Sequence, residues 1–102
     1  MYKELQPQAA GELLNDGAVT ILDIRDPDSY ETAHLESAIQ LNQASLKQFL
    51  DATARDQTLL VYCYHGISSA AAAAFLIEQG FSDVYHIVGG FQAWQECQLP
   101  TT

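Results

Sequence analysis

Basic side chains are scarce in this chain of 102 residues. It contains 4 Lys and Arg residues against 13 Asp and Glu residues, which gives a formal net charge of −9 at pH 7. A protein with this charge repels phosphate backbones and anionic lipid headgroups. Nucleic acids and membranes are therefore not expected as partners, and any site for a small anion has to be built from backbone dipoles.

Cysteine is also rare, and the histidines lie far apart. The two cysteines, Cys63 and Cys97, are too few for a disulfide framework, and a reducing compartment keeps such thiols free. The three histidines, His34, His65 and His86, match no zinc-ligand spacing. We therefore expect no structural disulfide, no metal site and no cofactor.

Long hydrophobic runs are missing, although 48% of the residues are hydrophobic. The longest apolar stretch, residues 70–77, is far shorter than the ~18 residues of a membrane span. Residues 1–4 show no secretory or transit signal. The sequence predicts one globular domain over residues 1–102, located in the cytoplasm, with a core that needs no crosslinks.

Strand-like and helix-like patterns alternate along the chain. Short runs rich in β-branched and aromatic residues predict strands at residues 2–5, 19–24, 38–41, 59–62 and 84–88. Helices are predicted from Pro7, from Pro27, after Asn42, from a cap at Ser68 or Ser69 to Gly80, and after Gly89-Gly90. This alternation indicates an α/β fold with a mainly parallel sheet covered by helices on both faces.

Cys63 stands where a predicted buried strand meets a polar loop and then a helix. The strand ends at Tyr62, and residues 70–77 are the best helix-forming stretch in the chain. Ligands of open α/β sheets bind at the carboxyl ends of strands, where the next helix offers free N–H groups and the positive end of its dipole. These groups favour the thiolate form of cysteine, and Gly66 permits the backbone angles that an anion-binding loop requires. The pattern favours a reactive thiol over a small buried hydrophobic residue.

Three stretches together resemble the single-domain rhodaneses, sulfurtransferases of the GlpE type. They are residues 22–38, residues 63–69 and residues 89–94. The resemblance implies a rhodanese-like fold of about five parallel strands. It also implies that Cys63 takes a sulfane sulfur from a donor as a persulfide and passes it to a nucleophilic acceptor.

The resemblance assigns roles to further residues. It implies a cradle for the transferred sulfur formed by the backbone amides of Tyr64, His65, Gly66, Ile67 and Ser68. Asp23, Arg25 and His34 match the first motif and are expected to be structural. For the His65 side chain, either a partial positive charge near the sulfur or no chemical role is expected. His86 is interpreted as a structural residue, and Cys97 is not expected to take part.

The implied substrates are small sulfur compounds. Thiosulfate, polysulfide and thiol-bound persulfides are the candidate donors, while cyanide, thiols and a dithiol protein such as thioredoxin are the candidate acceptors. Residues 64–74 contain neither Lys nor Arg. Donors with less charge than thiosulfate are therefore favoured.

Two other functions compete with sulfur transfer. A cysteine phosphatase or arsenate reductase uses a loop of similar shape but needs an arginine six places after the cysteine to hold the substrate oxygens, and Ser69 occupies that place. A non-enzymatic rhodanese-like module that binds a partner is the second alternative. Retention of Cys63 favours the enzyme.

Overall fold

The computed structural model of the protein describes residues 1–15 and 17–102, and strands and helices alternate along them. The five strands within these residues are β1 (Lys3–Leu5), β2 (Val19–Asp23), β3 (Ile39–Gln40), β4 (Thr58–Tyr62) and β5 (Val84–Ile87). The five helices are α1 (Pro7–Asn15), α2 (Pro27–Thr32), α3 (Gln43–Ala52), α4 (Ser68–Glu78) and α5 (Gly90–Glu96). The sequence Asn15-Asp16-Gly17 predicts the end of the first helix, and Asp16 lies outside the described residues.

The described strands form a sheet with the order β1-β5-β4-β2-β3, and each pairing is parallel. The central position of β4 places Cys63, the next residue, at the middle of the carboxyl edge of the sheet. At one end of the sheet, β1 pairs with β5 and sets Glu4 beside His86. The predicted α/β class with a mainly parallel sheet is confirmed.

Both faces of the sheet carry hydrophobic core. Leu60 and Tyr62 of β4 pack toward α1 and α5, whereas Leu59 and Val61 pack toward α3 and α4. All four side chains are fully buried. Successive side chains of a strand point to opposite faces, so a strand covered on both sides has to be apolar at nearly every position. This explains the continuous apolar run before Cys63.

The helix ends follow local sequence signals, with one exception described below. Asn42 caps α3 through a reciprocal pair of hydrogen bonds with Ser45, as the sequence predicts for Asn42. Gly80 follows α4 with a φ of +101°, the left-handed conformation expected of a glycine at that position. In the part of the chain described, no helix is long and apolar enough to cross a membrane.

Candidate active site

The Cys63 thiol lies at the base of a short loop between β4 and α4. Residue 63 is 6% exposed, while the loop residues Tyr64 and Ile67 are 45% and 79% exposed. Cys63 is therefore largely buried, while neighbouring residues of the loop face solvent. Cys97 also carries a free thiol but is exposed directly after the end of α5, away from such a loop.

Three donors or acceptors surround the Cys63 sulfur. The backbone N–H groups of Gly66 and Ser69 donate to Sγ at 3.1 and 3.2 Å. The Ser69 hydroxyl oxygen lies 3.3 Å from Sγ and accepts from the thiol. Once the thiol has lost its proton, the same hydroxyl is placed to donate to the sulfur instead.

The start of α4 differs from the sequence prediction. Ser68 and Ser69 were predicted as alternative caps, but both lie within the helix, and Ile67 precedes it without a side-chain cap among the described residues. The Ser69 N–H, an unpaired donor of the first helical turn, points at Sγ. The prediction of a serine cap is wrong because the cysteine sulfur accepts the hydrogen bond that a cap would otherwise accept.

These contacts change the acidity of the thiol. Burial raises the pKa of Cys63, while hydrogen bonds from the Ser69 hydroxyl and from the N–H groups of Ser69, Gly66 and His65 lower it. The hydrogen bonds outweigh burial, so the pKa lies below that of an ordinary cysteine. A larger fraction of the sulfur is consequently present as the nucleophilic thiolate at neutral pH.

The start of α5 holds the Cys63 loop in place through two backbone hydrogen bonds. The N–H groups of Phe91 and Gln92 donate to the carbonyl oxygens of Cys63 and Tyr64 at 2.8 and 3.0 Å. These bonds turn the two carbonyls away from the sulfur and toward α5. A Cβ atom on Gly90 would lie 2.6 Å from both carbonyl oxygens, so only glycine permits this close approach.

Gly66 has the backbone conformation that the sequence predicts for it. Its φ is +87°, in the left-handed region, and its N–H points at Sγ. From the sequence, Gly66 is interpreted as a residue of the sulfur cradle. A Cβ atom there, however, would meet the backbone nitrogen of Gly89 at 2.8 Å, so the position is crowded by the turn before α5.

The remaining predicted cradle residues line the same loop. The backbone N–H of His65 contributes to the lowered pKa of Cys63. The His65 side chain is exposed, and its ring centroid lies 4.6 Å from that of Tyr64. Ile67 and Ser68 are also exposed. The hydrogen bonds described for Sγ itself come from Gly66 and Ser69. Ser69 was not among the predicted cradle residues.

A family model described as "Rhodanese-like domain" matches residues 6–97. The chain belongs to the rhodanese-like family.

Named relatives and a solved structure agree with this assignment. A thiosulfate sulfurtransferase GlpE from Coxiella burnetii is 43% identical over 95 residues, covering 93% of this chain and 89% of the relative. A protein of the same name from Stutzerimonas stutzeri is 46% identical over 94 residues, covering 92% and 85%. The crystal structure of a rhodanese-related protein from Thermoplasma volcanium has a TM-score of 0.85 at 29% identity, covering 99% and 98%. The predicted resemblance, fold class and rhodanese type of enzyme are confirmed.

The first motif of this rhodanese-like chain forms a buried ion pair. Arg25 Nη2 lies 2.7 Å from Asp23 Oδ2, with the two side chains 5% and 0% exposed. The same nitrogen donates to the Ala33 carbonyl at 2.6 Å, and the Tyr62 hydroxyl donates to Asp23 at 2.6 Å. Burial and the hydrogen bond to Asp23 both raise the pKa of Tyr62. The pair therefore joins the end of β2 to β4 and to the segment after α2.

His34 lies in the neighbouring segment and not at the sulfur. Its ring is stacked on Tyr30 with centroids 3.9 Å apart, and Nδ1 is 2.7 Å from the Tyr30 carbonyl oxygen. Its backbone pairs with Thr102. These contacts hold the segment after α2 against the end of the chain. Within the described residues, no cluster of three or more His, Cys, Asp and Glu side chains is arranged to hold a metal ion.

Sequence reasoning missed a buried polar chain behind the rhodanese-like loop. His86 on β5 is 1% exposed, and its Nδ1 lies 3.0 Å from the Ser69 hydroxyl. Its Nε2 lies 2.9 Å from the Glu4 carboxylate. A histidine within the otherwise apolar run of residues 84–88 was the sequence signal for such a contact. Its partners became identifiable only with the strand order and register.

Proposed function

We propose that this protein is a sulfurtransferase that carries a sulfane sulfur as a persulfide on Cys63. The observation that supports the proposal most strongly is the placement of Sγ, 3.1 and 3.2 Å from the N–H groups of Gly66 and Ser69 at the start of α4. Such donors stabilise negative charge on sulfur without a basic side chain. The names of the relatives also support the reaction class.

In the first half-reaction, the Cys63 thiolate attacks the sulfane sulfur of a donor such as thiosulfate, polysulfide or a persulfide. A new S–S bond forms on Sγ as the donor's own S–S bond breaks. With thiosulfate, sulfite leaves with the electron pair of that bond. The backbone amides of Tyr64, His65, Gly66, Ile67 and Ser68, which line the loop, are proposed to hold the added outer sulfur.

In the second half-reaction, cyanide or a thiolate attacks the outer sulfur. The S–S bond to Sγ breaks, and Cys63 leaves as a thiolate stabilised by the same hydrogen bonds. Both steps are nucleophilic displacements that conserve electrons, so the cycle requires no cofactor. The leaving ability of Cys63 improves because its pKa is lowered by these hydrogen bonds.

The rim of the loop is suited to a protein acceptor. Ile67 and Tyr64 are 79% and 45% exposed beside the sulfur, and both offer apolar surface. A dithiol protein such as thioredoxin is a candidate partner, because its first thiol can attack the persulfide and its second can release hydrogen sulfide. A cytoplasmic location fits this proposal, since a reducing compartment keeps Cys63 available.

Steady-state sulfur transfer from thiosulfate to cyanide tests the proposal. Cys63→Ser removes the nucleophile with little change in volume, and we expect thiocyanate formation to fall to the uncatalysed rate. Cys97→Ser is the matched control and should keep nearly full turnover, because its thiol lies exposed directly after the end of α5. Equal loss in both variants would instead indicate a two-thiol relay.

A further inference from the structure

A continuous hydrogen-bonded chain leads from the Cys63 sulfur to the protein surface. It passes from Sγ to the Ser69 hydroxyl at 3.3 Å, then to His86 Nδ1 at 3.0 Å. From His86 Nε2 it reaches the Glu4 carboxylate at 2.9 Å. Ser69 and His86 are buried, whereas the Glu4 side chain is 61% exposed. Strand pairing produces this alignment, because Glu4 and His86 are direct neighbours across β1 and β5.

The donors and acceptors in this chain fix its proton positions. An ionised Glu4 carboxylate only accepts hydrogen bonds, so His86 Nε2 carries a hydrogen and donates to it. In a neutral imidazole Nδ1 is then the acceptor, and it takes the hydrogen of the Ser69 hydroxyl. The Ser69 oxygen is left free to accept the Cys63 S–H. Every link is satisfied in the thiol state.

The same chain is also satisfied after one concerted proton shift. The S–H bond of Cys63 breaks as its proton moves to the Ser69 oxygen, and the original hydroxyl proton moves to His86 Nδ1. Ser69 then donates to the thiolate, while the imidazolium donates from Nδ1 to Ser69 and from Nε2 to Glu4. The net result is that one proton has moved from the Cys63 sulfur to His86, and no group is oxidised or reduced.

We propose that Ser69, His86 and Glu4 form a relay that accepts the proton of Cys63 and so generates the thiolate. Ser69 contacts the reacting sulfur, whereas His86 and Glu4 act through it as positioning residues. This deepens the proposed function, on which it rests for the use of Cys63 as a nucleophile. The relay supplies within the fold what a basic side chain on the loop would otherwise supply.

The other ionisable groups near the relay are few. The Tyr2 ring packs edge-on against His86 with centroids 5.4 Å apart, and on the Cys63 loop itself Tyr64 and His65 are exposed. From β4, the apolar Val61 is the neighbour of His86 in register. Lys3, next to Glu4 in sequence, is engaged with Asp83 and Tyr85. The carboxylate that contacts the imidazole is that of Glu4.

The test measures the pH dependence of Cys63 alkylation by iodoacetamide in a Cys97→Ser background, where Cys63 is the remaining thiol. Glu4→Gln keeps an acceptor for Nε2–H but removes the negative charge. General electrostatics predicts that losing one negative charge from a protein of net charge −9 lowers the thiol pKa. The relay predicts the opposite. We expect the alkylation midpoint to rise. At pH values below the midpoint, the alkylation rate should fall by about threefold or more.

Matched controls separate the relay from global charge and from a purely structural role. Glu36→Gln removes the same charge at an exposed position outside the relay and should not raise the midpoint. His86→Asn keeps a hydrogen-bonding group toward Ser69 but cannot bind a proton. It should raise the alkylation midpoint by about one pH unit, which lowers the alkylation rate about tenfold at pH values below the midpoint. His34→Asn makes the same change away from the sulfur and should leave the midpoint unchanged.

The outcome does not depend on sulfur transfer, because alkylation uses no sulfur donor. A raised midpoint in Glu4→Gln supports the relay even if the protein proves inactive with every sulfur donor. An unchanged or lowered midpoint in Glu4→Gln overturns it, whether or not His86→Asn folds. Normal sulfur transfer by the wild type would then leave the proposed function intact without the relay.

Discussion

At the scale of single residues, the Cys63 sulfur completes the start of a helix. Sγ accepts the Ser69 N–H at 3.2 Å, in the place of the side-chain cap that the described residues do not provide for α4. A hydrogen bond to a charged group contributes about 1.5–3 kcal/mol, more than one between neutral groups. Several such bonds outweigh the cost of burying the thiolate, in agreement with the lowered pKa of Cys63. Local structure and reactivity thus depend on the same atoms.

Gly66 is the residue at which backbone conformation and reactivity are most closely linked. Gly66→Ala would force an L-residue to a φ of +87° and place its Cβ 2.8 Å from the Gly89 nitrogen. We expect a loss of about 1–2 kcal/mol from the φ alone, more from the close contact, and displacement of the N–H that contacts Sγ. Sulfur transfer should fall at least about tenfold, corresponding to one lost hydrogen bond to the charged sulfur.

Gly80→Ala is the matched control for this change. Gly80 also has a positive φ, +101°, but the atoms nearest to a Cβ there belong to the Arg55 side chain, at 3.6 Å or more. Chemical denaturation should show a loss of stability in both variants, larger in Gly66→Ala because of its close contact, with activity lost only in Gly66→Ala. Normal activity in a folded Gly66→Ala protein would show that its N–H is not needed at the sulfur.

At the scale of secondary-structure elements, the loop is held between β4, α4 and α5. Helix α5 binds the loop carbonyls, and α4 presents its N-terminal N–H groups to the sulfur. The Arg25 guanidinium lies 3.9 Å from the centroid of the Phe91 ring, and Phe91 N–H holds the Cys63 carbonyl. The first motif thus supports the loop through Phe91.

Removal of Arg25 should therefore affect the fold before the chemistry. Arg25→Gln leaves the Asp23 carboxylate buried without its ion-pair partner, and such changes cost about 3 kcal/mol or more. Lys47→Gln breaks the exposed Lys47–Asp51 pair and should cost less than about 0.5 kcal/mol. Urea denaturation of both variants gives the comparison. Equal and small losses of unfolding free energy in the two variants would contradict the assignment of Arg25 as a residue that stabilises the fold.

The sequence predicted the elements well because their signals are local. The apolar run before Cys63 indicated a strand, Asn42 a helix cap and Gly80 a helix end, and each is confirmed. The polar partners of the thiol depend instead on which strands are neighbours. The contacts of His86 with Ser69 and Glu4 require the order β1-β5-β4 and its register, which spacing along the chain does not reveal. Ser69 was consequently assigned to a local cap.

At the scale of the whole molecule, the distribution of charge disfavours the binding of anionic donors. The net charge is −9, and all four cations are engaged elsewhere: Lys3 with Asp83, Arg25 with Asp23, Lys47 with Asp51, and Arg55 with backbone carbonyl oxygens. The thiol loop itself contains neither Lys nor Arg. A dianion such as thiosulfate is therefore expected to approach against long-range repulsion and to depend on backbone dipoles for binding. We therefore expect donors of lower charge, such as thiol-bound persulfides, to be used more readily than thiosulfate.

Ionic strength tests this electrostatic argument. Screening weakens the repulsion, since the Debye length is about 10 Å at 0.1 M salt, so the KM for thiosulfate should fall as inert salt rises. Two unit charges ~4 Å apart interact by about 4 kcal/mol at an effective dielectric of ~20, so a nearby cation should matter more than net charge. Ala70→Lys, beside Ser69, should lower KM at low salt by about tenfold.

Gln48→Lys adds the same charge at an exposed position on α3 and serves as the control. It should change KM at low salt much less than Ala70→Lys. Initial rates of the three proteins across ionic strength provide the comparison. A KM that is flat or rises with salt, and that does not respond to the lysine at residue 70, would contradict the argument.

The most direct measurement of the central claim, that Cys63 carries the transferred sulfur, is the intact mass of the protein after brief exposure to polysulfide or thiosulfate. We expect one added sulfur atom in the wild type and in Cys97→Ser, none in Cys63→Ser, and loss of the added mass on treatment with cyanide. A wild-type protein that gains no cyanide-removable sulfur, or that gains it equally after Cys63→Ser, would contradict the account and favour a rhodanese-like binding module.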